Sequence, residues 1–127
     1  LIIFALTDSL VLAGNHSGVR LESFLYTVES FQAAKTHLKK GGLFVLYNNY
    51  RQPWLVERLY KMLNQSFGRQ SFLLNTQWNS AILMNGDKLN DIKPELVGNY
   101  FRESSLKSAT DDWPFTYLYK PFIPIIY

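Results

Sequence analysis

The sequence predicts an α/β fold in a single domain that spans residues 1–127. Short uncharged apolar runs bounded by turn residues indicate buried strands, and the first of them is Leu-Ile-Ile-Phe-Ala-Leu-Thr at residues 1–7. Longer segments between these runs repeat apolar residues at the spacing of a helix. The length of 127 residues suits one domain, and 47% hydrophobic with 18% charged residues is an ordinary globular composition.

Composition excludes several classes of function. The net charge is +3, but the basic residues are scattered and only Lys39 and Lys40 are adjacent, so we expect no nucleic-acid partner. The absence of cysteine excludes disulfides and thiolate metal sites. No apolar run approaches the length of about 20 residues that spans a bilayer. Since Leu1 is not a natural initiating residue, we expect an upstream portion of the protein.

The first apolar run ends on a carboxylate, Asp8. Because no charge interrupts the run, we expect a strand buried on both faces of a parallel sheet. Ligands of such sheets collect beyond the carboxyl ends of the strands. Asp8 is therefore the first candidate functional residue.

A turn-rich loop follows Asp8 and contains His16. A histidine here is either a base or metal ligand, or a solvated loop residue. No second ligand lies at metal-binding spacing from His16, which favours the loop residue.

The next segment, residues 21–38, has the apolar spacing of a helix. Glu22 or Ser23 is the expected N-cap, and Gly41 is the expected left-handed residue at its end. Lys35 and His37 fall in the last turns, where cations suit the helix dipole. The apolar stripe consists of Leu21, Phe24, Leu25, Val28, Phe31, Ala34 and Leu38.

A second buried strand is predicted at residues 43–47, which makes a strand-helix-strand crossover that should be right-handed. Asn48, Asn49, Tyr50 and Arg51 follow it, at the same sheet edge as Asp8. These polar side chains either face a ligand or form the turn that leads into the next helix.

The third part of the pattern is a helix followed by a hairpin. Pro53 suits a first helical turn, and Gly68 follows the last apolar residue, Phe67. Residues 71–74 and 81–84 read as two strands whose short connection predicts an antiparallel hairpin. Residues 87–103 are polar, with a weak helical pattern around Glu95 to Phe101.

The C-terminal stretch, residues 110–127, is rich in proline and aromatic residues. Such a sequence forms neither an interior strand nor a helix, so we expect an extended segment laid over the domain. Asp111 and Asp112 are either a metal or amine site, or a turn or N-cap. Aspartate before Trp-Pro favours the turn.

Three stretches resemble one known family. Residues 2–9 are similar to a strand followed by Asp-Ser-Ser-Asp-Pro, and residues 25–42 to a helix followed by Leu-Lys-Pro-Gly-Gly. Residues 109–115, Ala-Thr-Asp-Asp-Trp-Pro-Phe, resemble a closing motif of bacterial members fused to membrane-spanning segments. The chain thus resembles the second half of spermidine synthase-like proteins, a branch of the S-adenosylmethionine-dependent methyltransferase fold.

The resemblance implies a partial Rossmann-like methyltransferase fold. The chain would supply strands four to seven with flanking helices, the last two strands being the antiparallel hairpin. S-adenosylmethionine or its decarboxylated form is implied for the full-length protein and no cofactor for this fragment alone, because the glycine-rich turn would lie upstream of Leu1. The implied parent is a membrane-anchored protein, with this part in the cytoplasm.

The resemblance also implies roles for residues. Asp8 would be the base that deprotonates a small-molecule amine acceptor, with Thr7, Ser9, Asn48 and Tyr50 binding that substrate and no metal involved. An aminopropyltransferase or methyltransferase is the implied enzyme, and the isolated fragment would be inactive.

Two departures from the family pattern leave other functions open. Ala5 stands where the family has its first acid, and Leu10 stands where it has proline. A catalytically inactive transferase-fold module that binds or regulates a membrane partner is the main alternative, and a domain without a ligand is the third. The uncharged edge of the first strand also predicts self-association, since open strand edges pair readily.

Overall fold

A computed structural model describes residues 1–5, 21–50, 52–75, 80–91 and 105–119. The predictions for Thr7, Asp8, Ser9, His16 and Arg51, and for the helical pattern around residues 95–101, lie outside these residues. The elements are β1 (Ile2–Ala5), a 3₁₀ helix (Leu21–Tyr26), α1 (Val28–His37), β2 (Phe44–Asn49), α2 (Pro53–Phe67), β3 (Phe72–Asn75), β4 (Ser80–Asn85) and a second 3₁₀ helix (Asp87–Asp91).

The four strands form one mixed sheet in the order β1-β2-β4-β3. β1 is parallel to β2, whereas β4 is antiparallel to both of its neighbours, β2 and β3. β3 consequently runs parallel to β2, and α2 connects these two strands across β4. The sequence prediction of an α/β fold that ends in an antiparallel hairpin is confirmed at this level.

Both long helices pack on the same face of the sheet. The ring of Phe44 on β2 lies 5.7 Å from the ring of Phe31 on α1 and 5.8 Å from the ring of Phe67 on α2. Leu46 and Leu83 extend this fully buried layer along β2 and β4. The apolar core is therefore a single layer between one sheet face and two helices.

The expectation that the first two strands are buried on both faces is wrong. β1 is an edge strand in which Ile3 is 54% exposed, and Val45 and Tyr47 on β2 are half-buried. The reason is topological. The connections from β1 to β2 and from β2 to β3 step in the same direction, and right-handed crossovers that do so place their helices on the same face.

The opposite face of the sheet carries two rows of mostly apolar side chains, none of which is buried. By register the rows are Ile3, Val45, Met84 and Phe72, and Ala5, Tyr47, Ile82 and Leu74. No charged residue occurs in either row. We call this surface the open face.

The first predicted helix is divided in two, and its N-cap is neither Glu22 nor Ser23. α1 begins after Thr27, whose hydroxyl accepts a hydrogen bond from the backbone N–H of Ser30 at 3.2 Å. The N–H of Val28, which has no partner within its own helix, donates to the carbonyl of Ala109 at 2.9 Å. The break between the two helices thus lies where the carbonyl of Ala109, distant in sequence, accepts a hydrogen bond from the first N–H of α1.

The end of α1 also differs from expectation. The helix ends at His37, and Gly41 adopts the left-handed φ of 71° in the turn that follows rather than at the cap. Lys35 reaches across to α2, where its Nζ donates to the carbonyls of Ser66 and Phe67 at 3.5 and 3.1 Å. It therefore caps the end of the neighbouring helix, whose dipole favours a cation there.

α2 begins at Pro53 and ends at Phe67, as predicted, with Gly68 in the left-handed conformation after it. Residues 105–119 contain no helix or strand and lie across α1 and α2. Lys61 Nζ donates to the carbonyl of Leu106 at 2.8 Å, and Thr116 Oγ1 donates to the carbonyl of Tyr26 at 2.6 Å. Residues 110–119 thus form neither a helix nor a strand and lie over the domain, as predicted, although they include turns; residues 120–127 of the predicted extended segment lie outside the described residues. No helix in the described ranges has the length and apolarity that crossing a bilayer requires.

Candidate functional site

The carboxyl ends of β1 and β2 lie side by side because the two strands are parallel. Ala5, the last residue of β1, is paired with Tyr47, and β2 continues through Asn48 to Asn49. Thr7, Asp8 and Ser9 follow β1 in sequence but lie outside the described residues. The structure therefore describes the half of the predicted site that β2 contributes.

Asn48 and Tyr50 lie at this edge with covered side chains. Asn48 is 7% exposed, and its Oδ1 accepts a hydrogen bond of 2.7 Å from the N–H of Asn49. Tyr50 is 4% exposed and belongs to the apolar core. Asn49, in contrast, is exposed. Asn48 and Asn49 are the last residues of β2, paired with Ala81 and Ser80 of β4, so the strand extends two residues beyond the predicted end at Tyr47.

The connection from β2 to α2 does not fit a nucleoside cofactor. Such a cofactor needs glycines that let the backbone approach its phosphate or carboxylate groups, and an acid for its ribose. The stretch Asn-Tyr-Arg-Gln between Asn48 and Pro53 contains neither glycine nor an acid. We therefore assign no cofactor contact to this connection.

The most unusual polar group in the described part of the chain is Arg58, in the second turn of α2. Its side chain is fully buried. Nη1 donates to the backbone carbonyls of Thr116 and Leu118, and Nη2 donates to the carbonyl of Tyr119 at 3.1 Å. One guanidinium thus binds three carbonyls of a single short stretch.

Aromatic rings complete the environment of Arg58. Its Cζ lies 5.0 Å from the ring centre of Trp54 and 5.6 Å from that of Trp113. Within the described ranges no carboxylate forms an ion pair with it, and its Nε is buried without a hydrogen-bond partner. Burial lowers the pKa of the Arg58 guanidinium from its ordinary value. The group nevertheless stays charged, because arginine does not lose its proton in proteins.

Asp111 takes part in a turn. It accepts a hydrogen bond of 2.8 Å from Thr27 Oγ1, and its N–H donates to Glu29 Oε2 at 3.0 Å. Thr110 and Trp113 close the turn through reciprocal backbone bonds of 3.2 and 2.9 Å. The described residues contain no group of three or more potential metal ligands. The turn interpretation of Asp111 is confirmed.

Sequence reasoning missed Arg58, although a signal was present. The residue lies four positions after Trp54 and four before Met62, inside the apolar stripe of α2. A cation in such a stripe is either paired or bound by oxygen atoms when the helix packs. The sequence does not reveal that the oxygens come from carbonyls almost sixty residues later.

Comparison with known proteins gives no match to a protein-family model, a curated protein or a solved structure. Any functional assignment therefore rests on the motifs of the chain and on the geometry described above.

Proposed function

We propose that this chain is part of an S-adenosylmethionine-dependent transferase, a spermidine synthase-like aminopropyltransferase or a methyltransferase, in which Asp8 activates an amine. The observation that carries the proposal is the parallel pairing of β1 and β2. It makes their carboxyl ends adjacent, so that the residues after Ala5 and the residues after Tyr47 start from one sheet edge. Ligands of α/β sheets bind at this kind of edge.

The topology supports the proposed partial Rossmann-like methyltransferase fold. If β1 to β4 are the fourth to seventh strands, the parallel pair and the closing antiparallel hairpin occur in the order that the motifs imply. The crossover helices α1 and α2 are the expected flanking helices.

The chemistry assigned to Asp8 is proton transfer. An amine is an ammonium ion at neutral pH and has no lone pair with which to attack. A carboxylate accepts one of its protons, and the neutral amine is then a nucleophile. Thr7, Ser9, Asn48 and Tyr50 are the proposed residues that bind and orient the amine.

The cofactor would be held elsewhere. S-adenosylmethionine or its decarboxylated form would supply the transferred group in the full-length protein. Because the connection after β2 does not fit such a molecule, the residues that grip it belong upstream of Leu1 in this proposal. The same proposal makes the fragment alone inactive and the parent a membrane-anchored protein with this part in the cytoplasm.

The test uses the full-length protein with both cofactors. Calorimetry measures cofactor binding, and product formation is followed with a panel of small amines. We expect Asp8→Asn to bind the cofactor as the wild type does and to lose turnover by about 10²–10⁴-fold, the usual contribution of a general base. Asp91→Asn, which removes an exposed carboxylate near Lys88, is the matched control and should leave turnover unchanged. Turnover that survives in Asp8→Asn would contradict the role of Asp8.

The second candidate is a catalytically inactive transferase-fold module that binds or regulates a membrane partner. Ala5 favours it, because a neutral side chain ends β1 where the family places its first acid. A multiply charged amine normally needs several carboxylates. Cofactor binding without turnover on any amine would support this module, and absence of cofactor binding would contradict both candidates.

A further inference from the structure

We propose that residues 113–119, which we call the strap, open as a local unit while the core stays folded, and that Arg58 is the latch that closes them. This inference goes beyond the proposed function and does not depend on it. It rests on three observations: the hydrogen bonds of Arg58 to the strap, the partial exposure of the strap side chains, and the burial of the Arg58 guanidinium when the strap is closed.

Among the described residues, Arg58 makes three hydrogen bonds to the strap. Two backbone bonds of the strap are internal, from the N–H of Phe115 to the carbonyl of Trp113 and from the N–H of Leu118 to the carbonyl of Phe115. Arg58 binds the carbonyl of Thr116 in the middle of the strap and those of Leu118 and Tyr119 on its distal half, and the hydroxyl of Thr116 donates to the carbonyl of Tyr26. Arg58 thus hydrogen-bonds the strap to α2 through three bonds, and the rings of Tyr117 and Tyr119 also contact those of Tyr26 and Trp54.

The aromatic and leucine side chains of the strap are only partly buried, and Tyr119 at its end is 52% exposed. Phe115, Tyr117, Leu118 and Tyr119 are each more than one third exposed. In contrast, Ala109, a few residues earlier, is fully buried and bonded to α1. Segments with few buried apolar contacts open at a lower free energy than the core. The distal strap is such a segment.

Closure of the strap also removes a charge from water. With the strap in place, Arg58 is fully buried and no carboxylate of the described residues offsets its charge. Three carbonyl dipoles and two indole rings replace part of the lost hydration. Because burial of a cation without a counter-ion is costly, lifting the strap recovers hydration of the guanidinium. This cost offsets part of the free energy that the three hydrogen bonds contribute to closure.

The strap covers two side chains of α2 that lie near the candidate site. Trp54 and Arg58 belong to the first two turns of α2, which follow directly on the carboxyl end of β2. Tyr119 packs edge-on against Trp54, with ring centres 5.4 Å apart. An open strap uncovers a guanidinium and an indole beside the sheet edge where the candidate site lies.

Limited proteolysis with chymotrypsin tests the latch. The enzyme cleaves after aromatic residues and leucine, and mass spectrometry assigns each cut. We expect Arg58→Met to raise the cleavage rate within the strap at least tenfold and Arg58→Lys to raise it less, because lysine keeps the charge but not the planar fork. Arg69→Met is the matched control. It removes a partly exposed arginine bonded to Asn90 and should leave strap cleavage unchanged.

Chemical rescue distinguishes hydrogen bonding by the Arg58 guanidinium from simple filling of space by its side chain. Arg58→Ala leaves a site lined by three carbonyls and two indoles, so millimolar methylguanidinium should restore protection of the strap. Methylammonium, which lacks the planar fork, should not. Equal rescue by both cations, or by neither, would overturn the role of Arg58 as latch.

The wild-type protein provides a test that needs no variant. Local opening exposes little surface, so strap cleavage should depend weakly on urea below the unfolding transition, whereas cleavage in α2 should depend on it steeply. Equal dependence at both places would show that the strap opens only when the whole domain unfolds. Strap cleavage unchanged in Arg58→Met would likewise contradict the proposal.

Discussion

Asn85 shows how one buried amide joins two parts of the chain. It is fully buried at the end of β4. Its Nδ2 donates to Ser71 Oγ at 2.7 Å and to the carbonyl of Arg69 at 3.2 Å, and its Oδ1 accepts from the N–H of Gly86 at 2.8 Å. The side chain therefore ties the start of the hairpin to its end.

We expect Asn85→Ala to lower the free energy of unfolding by about 2–4 kcal/mol, because it leaves the Gly86 N–H and the Ser71 hydroxyl buried without this partner and opens a cavity. Urea denaturation measures the change. Asn90→Ala is the control, since that exposed amide bonds only to the Arg69 side chain in the described region. It should cost about 0.5 kcal/mol or less. Similar losses in both variants would contradict the assigned role of Asn85.

At the scale of elements, the start of α1 depends on a hydroxyl that serves two segments. Thr27 Oγ1 accepts from the N–H of Ser30 and donates to Asp111 Oδ1. The carboxylate of Asp111 also lies near the positive end of the α1 dipole, which favours it. The helix start and the turn at residues 110–113 are thus held together by one side chain.

Thr27→Ala should destabilise the protein by about 1–2 kcal/mol, the cost of a lost N-cap. Thr27→Ser keeps the hydroxyl and removes a methyl group, so it should lose less than half as much. Thermal unfolding followed by circular dichroism compares the two variants. Equal losses would mean that methyl packing, and not the hydrogen bonds, stabilises the helix start.

At the scale of the whole molecule, the two described α-helices cover one face of the sheet, and β1 lies at the edge of the described strands. The N–H of Ile2 donates to the carbonyl of Leu43 at 2.9 Å, which directs the backbone groups of Ile2 and Phe4 toward β2. In a parallel ladder the groups of Ile3 and Ala5 then point the other way. Leu1 and Ile3, at 76% and 54% exposure, add apolar side chains to this edge.

We propose that this 127-residue chain self-associates through the β1 edge. No charge or proline protects the edge, and two copies would meet without opposing like charges. Ile3→Lys should lower the association constant at least tenfold, as measured by light scattering over a range of concentrations. Leu74→Lys places the same charge on the open face at the opposite edge and should have a smaller effect. A wild-type chain that stays a monodisperse monomer at high concentration would contradict the proposal.

Local signals predicted much of this fold. Pro53 and Gly68 predicted both ends of α2, since proline tolerates the first helical turn and glycine the left-handed conformation after the last one. The short connection between two apolar runs likewise predicted the hairpin. For the candidate site, the sequence predicted that Asn48 and Tyr50 lie at the carboxyl edge of the sheet. The role of Asp8 stays a prediction.

Three features depend on the tertiary structure and could not be predicted from the local sequence. An uninterrupted apolar run predicts a strand, but crossover topology decides that α1 and α2 both pack on the same face of β1 and β2. The start of α1 moved to Thr27 because Ala109 and Asp111 satisfy it from more than eighty residues away. The carbonyls that Arg58 binds also come from a distant segment, 58 to 61 residues later in the chain. Backbone preferences act between residues close in sequence. The cover of a sheet face, the cap of a helix and the partners of a buried charge depend on which distant segments pack against them in the folded chain.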